Sequence, residues 1–523
     1  MTRAYDVTIV GGGHNGLVAA GYLARAGLRT LLLERLPHTG GAAVSVQSFA
    51  GVEARLSRYS YLVSLLPASI INELALDLEL RSRPVASYTP TRRDGRSTGL
   101  LVERRQSTAT ADSFRRLTGG GTEFRAWCEF YAEVETVAKT LAPTLTEPLS
   151  PAGDVAARLV PATWRWLVDT PIGAELDERF SDDTVKGVVG TDALIGTFAS
   201  LYDDSLVQNR CFLYHLIGNG TGEWRVPVGG MGVVTDALLK AARSAGADIL
   251  TNAVVTRVET DGREATTTYQ RHGDEQVVAS RLVLSGVAPA VLDGLLDRAA
   301  SAARPEGSQL KVNLILKRLP GWKAGIDPAT AFAGTLHVAE DFSELESAYD
   351  AATAGQLPQP QPGEFYCHSL TDRSILSRDL AGKGFHTLTY FGVHTPARLF
   401  EAGGRSAVDT VVERALDALD LHLAEPIRDC LAVDVDGQPC LEAKSPADIE
   451  QALNMPGGHI FHGDLQWPWL PMEVDPVTPA ERWGVGTGVD NVMVCGSGAR
   501  RGGAVSGLGG HNAAMAALEL LRP

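Results

Sequence analysis

The stretch Asp6-Val7-Thr8-Ile9-Val10-Gly11-Gly12-Gly13-His14-Asn15-Gly16-Leu17 decides how this chain is read. A short, mostly apolar run leads into G-x-G-x-x-G, after which Leu17, Ala20, Gly21, Leu23 and Ala24 share one helical face up to Gly27. Leu28 to Leu33 is a second apolar strand, and it ends on Glu34. Strand, glycine turn, helix and strand make a βαβ unit that binds a dinucleotide. Gly11 permits the turn, Gly13 lets backbone approach a pyrophosphate, Gly16 lets helix pack on strand, and the helix start at His14 and Asn15 faces the phosphate charge. A strand-tip acid about 20 residues on is placed to accept both ribose hydroxyls. Glu34 would also repel a 2′-phosphate, which disfavours NADP.

Beyond Glu34, Arg35-Leu36-Pro37-His38-Thr39-Gly40-Gly41-Ala42-Ala43 adds a second glycine pair that an NAD site does not need. FAD is longer and ends in three fused rings, so the backbone must run beside it further, through Arg35, Gly40, Gly41 and Ala42. The far C-terminus supplies the other half. Asn491 to Cys495 is a buried-type strand, and Gly496-Ser497-Gly498-Ala499-Arg500-Arg501-Gly502-Gly503-Ala504-Val505-Ser506-Gly507 leads into a last apolar helix. Gly496, Ser497, Gly503, Val505 and Ser506 are assigned to the flavin end, where a helix N-terminus suits a ring that gains negative charge on reduction. A middle piece follows Trp224-Arg225-Val226-Pro227-Val228-Gly229-Gly230-Met231-Gly232, with strands at 246–250, 254–258 and 282–285. They either rejoin the first sheet, with Val255 beside adenine, or only fill the core.

Bulk properties limit the rest. A chain of 523 residues exceeds one hydrophobic core, and its 55 glycines suit many close backbone approaches. The net charge of −15 argues against nucleic acid, and Arg92-Arg93-Asp94-Gly95-Arg96 reads as an exposed turn. Six cysteines without a C-x-x-C pair give no zinc ribbon and no dithiol centre, and no metal site is expected. The first residues lack the pattern of a secretion signal, so a cytoplasmic location is expected.

These pieces together resemble the phytoene desaturase and flavin amine oxidase superfamily, most closely the branch of pyridine nucleotide-disulfide oxidoreductase domain-containing protein 2. The resemblance spans nearly the whole chain. It also rests on Ser57-Arg58-Tyr59-Ser60-Tyr61 and Phe461-His462-Gly463-Asp464. It implies an α/β architecture: a Rossmann-like FAD-binding domain of glutathione-reductase type, interleaved with an α+β substrate domain on an antiparallel sheet. It also implies hydride removal from an apolar or amine substrate. Amine oxidases carry Arg after the glycine doublet where this chain has Ala42, and no aromatic pair forms an evident amine cage.

The expected units are 1–85, 221–302 and 455–523 for the FAD domain, 86–220 for a helical cap and 303–454 for the substrate sheet. Within the inserts, 354–363 reads as a solvent loop or a lid. Trp467-Pro468-Trp469-Leu470-Pro471-Met472 reads as cleft lining, a membrane or partner contact, or core. His462 and His511 are candidate proton acceptors, against a structural role for each, and Arg58 and Tyr59 are candidate anchors for a carboxylate or carbonyl, against packing and an ion pair. The first functional reading is an FAD-dependent dehydrogenase or desaturase acting on an apolar small molecule and passing electrons to quinone or oxygen. A flavin amine oxidase is the alternative, and a redox-silent binding protein on the same fold is the third. Quinone or peripheral membrane contact stays open, as does the oligomeric state.

Overall fold

The computed structural model describes residues 4–105, 107–300 and 303–521. The unit boundary expected at 302 lies outside these residues. Two large sheets organise the described chain.

The first strand, Ala4–Val10, pairs in parallel with Thr30–Leu33 on one side and with the end of Asp274–Ser285 on the other. Val7 and Ile9 are fully buried, as is Leu32, because strands covered on both faces carry continuous apolar runs. Asp248–Leu250 extends this sheet beyond Thr30–Leu33, and Ala253–Thr260 and Ala265–Arg271 extend it on the far side as an antiparallel meander. The closing strand Val492–Val494 then pairs in parallel with Val283–Ser285. Pieces from the start, middle and end of the chain thus share one sheet.

Three parallel strands end side by side at glycines. A Cβ at Gly496 would lie 2.5 Å from the Gly286 carbonyl oxygen, and one at Gly286 would lie 3.0 Å from the Val10 carbonyl oxygen. The opening helix His14–Arg25 and the closing helix Leu508–Leu521 start from this junction and cross closely. Gly510 packs directly on the Asn15 carbonyl.

The second sheet has the order Leu441–Lys444, Leu310–Leu316, His386–Gly392, Gly363–Tyr366, Thr335–Val338, Val85–Arg93, Arg96–Glu103. It is mixed rather than purely antiparallel, because Thr335–Val338 and Val85–Arg93 run parallel. The last two strands place a hairpin at the start of the 86–220 unit, whose helices begin only at Thr108. Asp94 and Gly95 have φ of 51° and 75°, the pair of positive values that a tight hairpin turn demands, so the exposed turn joins two strands. Thr, Ser and Pro within Val85–Arg93 disguised the alternation.

Helices occupy much of 108–217, including Thr122–Leu141 and Val207–Ile217, and pack around Phe130, Trp166 and Phe212. The helical residues around Pro161 form separate turns, Ala152–Ala156 and Pro161–Trp164, and Pro161 opens the second. The 354–363 segment is pinned rather than lid-like: Arg414 donates to the Pro358 carbonyl at 2.9 Å, and the fully buried Gln361 donates to that of Val393 at 2.9 Å. Trp469 is buried, stacked on Trp467 at 5.0 Å and beside Trp164 at 5.4 Å, while Met472 is exposed. No helix among the described residues is long and apolar enough to cross a membrane.

Candidate cofactor and active site

A cavity of about 310 Å³ opens where the three strand ends meet the second sheet and the helical insert. Its wall brings together Gly11, Gly13, His14, Asn15, Gly16, Glu34, Arg35, Gly41, Ala42, Val255, Gly496, Ser497, Gly503 and Val505. Residues nearly 500 positions apart in sequence therefore face one space.

The glycines divide by cause. At Gly16 a Cβ would sit 2.2 Å from the Gly11 carbonyl oxygen, so the helix could not approach its strand. Gly11 adopts φ 100°, which only glycine takes readily. At Gly13 a Cβ would meet no protein atom within 4 Å, so what it would meet lies in the cavity itself. Gly40 is different. It lies off the cavity wall, bonds its N–H to the Gly12 carbonyl at 2.8 Å, and has φ 121°, so it braces the loop from behind. Ser506, fully buried, also lies off the wall.

Glu34 is buried, and its carboxylate accepts the N–H groups of Gly12 at 2.7 Å and Leu36 at 2.8 Å. A Cβ at Gly12 would crowd that carboxylate at 3.1 Å, so Gly12 is as constrained as its neighbours. Three buried polar atoms of wall residues lack a protein partner among the described residues: His14 Nε2, Asn15 Oδ1 and His462 Nδ1. Buried polar atoms are normally bonded, so these await a ligand. Open space at Gly13, two helix N-termini and an acid at the strand tip fit FAD.

The four catalytic candidates separate. His462 lines the cavity, but burial, with His459 and His14 nearby, pushes its imidazole down to about 3. It stays neutral and is a poor base near neutrality. Burial likewise pushes His14 down to about 4. His511 does not reach the cavity: its ring packs edge-on against Tyr22 at 5.1 Å and bonds Asn512 at 2.9 Å, because the closing helix turns that face toward the opening helix. Arg58 is held away as well, donating to Glu442 at 2.6 Å in an ion pair. Tyr59 lines the wall.

Lys311 was missed. It is 1% exposed, lines the cavity, and donates to the carbonyls of Ser57 at 2.6 Å and Ser60 at 3.0 Å, with Tyr61 5.3 Å away. Burial holds its ammonium well below the ordinary lysine value. The signal was present: in Leu310–Leu316 the polar Lys311 and Asn313 alternate with leucine and valine, which puts both on one face of a buried strand.

Comparison with known proteins agrees with this geometry. Residues 9–69 match the NAD(P)-binding Rossmann-like domain, and residues 160–378 match the flavin containing amine oxidoreductase family. An uncharacterized protein of Mycobacterium tuberculosis is 48% identical over 532 residues, covering 99% of this chain and 98% of that one. Pyridine nucleotide-disulfide oxidoreductase domain-containing protein 2 of Mus musculus is 31% identical over 571 residues, covering 98% and 92%. A structure of wild-type putrescine oxidase bound to putrescine superposes with a TM-score of 0.59 at 17% identity, covering 100% of both chains. The chain is an FAD-dependent oxidoreductase and belongs to the family of pyridine nucleotide-disulfide oxidoreductase domain-containing protein 2.

Proposed function

We propose that the protein is a dehydrogenase or desaturase that takes hydride from a C–H bond of an apolar organic substrate and passes the electrons to quinone or oxygen. One observation carries this reading. Among the described residues, Glu34 is the sole carboxylate on the cavity wall, whereas Leu62, Leu65, Ile195, Phe391, Ile460 and Phe461 supply an apolar surface. An ammonium substrate would find no counter-charge among those apolar side chains.

We assign the adenosine end to Glu34, Arg35 and Val255, the pyrophosphate to the Gly11–Gly16 turn, and the flavin end to Gly496, Ser497, Gly503 and Val505, in the manner of glutathione-reductase-type flavoproteins. When bound, FAD supplies the acceptor for a hydride. The chain's own residues orient and exclude. The apolar side chains hold the substrate and shed water, and Lys311, anchored by two carbonyls, presents one polar group. In a desaturation the hydride carries both electrons from one carbon, and a proton leaves its neighbour. Lys311, whose ammonium burial holds well below the ordinary lysine value, is the wall group placed to take that proton.

The match to the amine oxidoreductase family and the likeness to putrescine oxidase favour amine oxidation as the second reading. An anaerobic screen of the FAD-loaded protein separates the two. Bleaching of the flavin by apolar alkenes or alcohols supports the first; bleaching by amines alone, with peroxide in air, overturns it.

A further inference from the structure

A second cavity, of about 220 Å³, adjoins the first, and Tyr61, Leu62, His215 and Trp224 border both. Its character is opposite. Arg83 and Arg104 line it, from just before the strand Val85–Arg93 and just after Arg96–Glu103. Arg83 is 5% exposed, and its Nε has no partner. Its two Nη atoms reach only the Thr335 hydroxyl, each at 3.4 Å, and its guanidinium lies 5.6 Å from the Tyr366 ring. It makes no ion pair with a carboxylate among the described residues. Arg104 has a loose one, Nε to Glu223 at 3.9 Å, and that Nε donates no hydrogen bond.

Two guanidinium groups facing one buried space repel each other, and with both Nε donors unbonded among the described residues and only Glu223, 3.9 Å from Arg104, to offset their charge, the arrangement is costly unless an anion completes the site. The acids nearby do not complete it. The Glu103 carboxylate is engaged by Ser107 and Thr110, and Glu364 is engaged by the Tyr366 hydroxyl. Asp192 is pushed well up by burial, with Glu364 and Glu340 near it, and burial with Glu340 pushes Glu364 to about 7. Glu364 is thus partly discharged at neutrality, while burial lowers Arg83 only to about 10.

We propose that this second cavity is a carboxylate subsite, so that the substrate is an amphipathic acid: its carboxylate lies between Arg83 and Arg104, and its hydrocarbon chain passes Tyr61 and Trp224 into the first cavity. This rests on the reading of the first cavity as the place of C–H oxidation of an apolar group. Arg is suited to the task because its planar fork takes a carboxylate through two parallel bonds.

The test is calorimetric titration of the FAD-loaded protein with decanoate, decanol and decylamine, the visible flavin spectrum being recorded for every sample. Decanoate is expected to bind at least tenfold more tightly than decanol or decylamine. Arg83→Gln should weaken decanoate by tenfold or more and leave decanol unchanged, and Arg83→Lys should recover part of the loss. Thermal melts check that both variants fold. Equal affinity for decanoate and decanol, a preference for decylamine, or decanoate binding unaltered in Arg83→Gln overturns the subsite. A protein that binds decanoate as described but takes up no FAD keeps the subsite and overturns the reading of the first cavity.

Discussion

A Cβ on Gly510 would stand 1.9 Å from the carbonyl oxygen of Asn15, so the closing helix lies on the opening helix with no room for a single added methyl group. Both partners are backbone, and neither can turn aside. Gly510→Ala must therefore push the two helices apart at the point where each begins. Overpacking of this kind costs about 1–3 kcal/mol. The variant should show a lower denaturation midpoint in urea and weaker FAD uptake in a fluorescence titration; unchanged uptake would mean that the helix crossing does not shape the cofactor site.

Gly13 and Gly16 should respond in opposite ways. Gly13→Ser adds atoms toward the cavity, at a helix N-cap that favours serine, so the melting temperature should hold while FAD affinity falls by tenfold or more. Gly16→Ala drives a methyl group into the Gly11 carbonyl and should lower stability before any cofactor is added. Melts of the FAD-free proteins distinguish the two.

His462→Asn tests whether the cavity histidine moves a proton. Its imidazole is neutral down to about pH 3, and asparagine tolerates its backbone φ of 65°. Turnover should change by less than about tenfold, which is below the usual 10²–10⁴-fold contribution of a general base. The acid limb of the pH–rate profile should keep its position. A larger loss with a displaced limb would restore His462 as the base.

His394 gives a stability test. It is fully buried, both ring nitrogens lack partners, and burial lowers it to about 3. The unfolded chain takes up a proton near pH 6.5 that the folded chain refuses. This residue thus costs nothing above that pH and progressively more below it, about 2 kcal/mol by pH 5. His394→Asn should gain on the wild type as pH is lowered from 7.5 to 5. A stability difference independent of pH would show that the ring is charged or solvated in the folded state.

The cofactor half is legible in the amino-acid order, because its signals are local. A strand, a glycine turn, a helix and a strand-tip Glu34 follow one another within about 30 residues, and each glycine requirement arises between near neighbours, as at Gly16 and Gly11. The strand and glycines after Asn491 were equally legible. What those signals meet depends on how the folded chain packs. Gly40 braces the turn while Gly41 faces the cavity, and His511 points into a helix crossing while His462 reaches the wall, because orientation depends on packing that no spacing encodes. Lys311 was hidden inside a strand pattern, and Arg83 and Arg104 face one space only because a hairpin joins the second sheet. Buried charge is a property of the surroundings, and those come from residues hundreds of positions away.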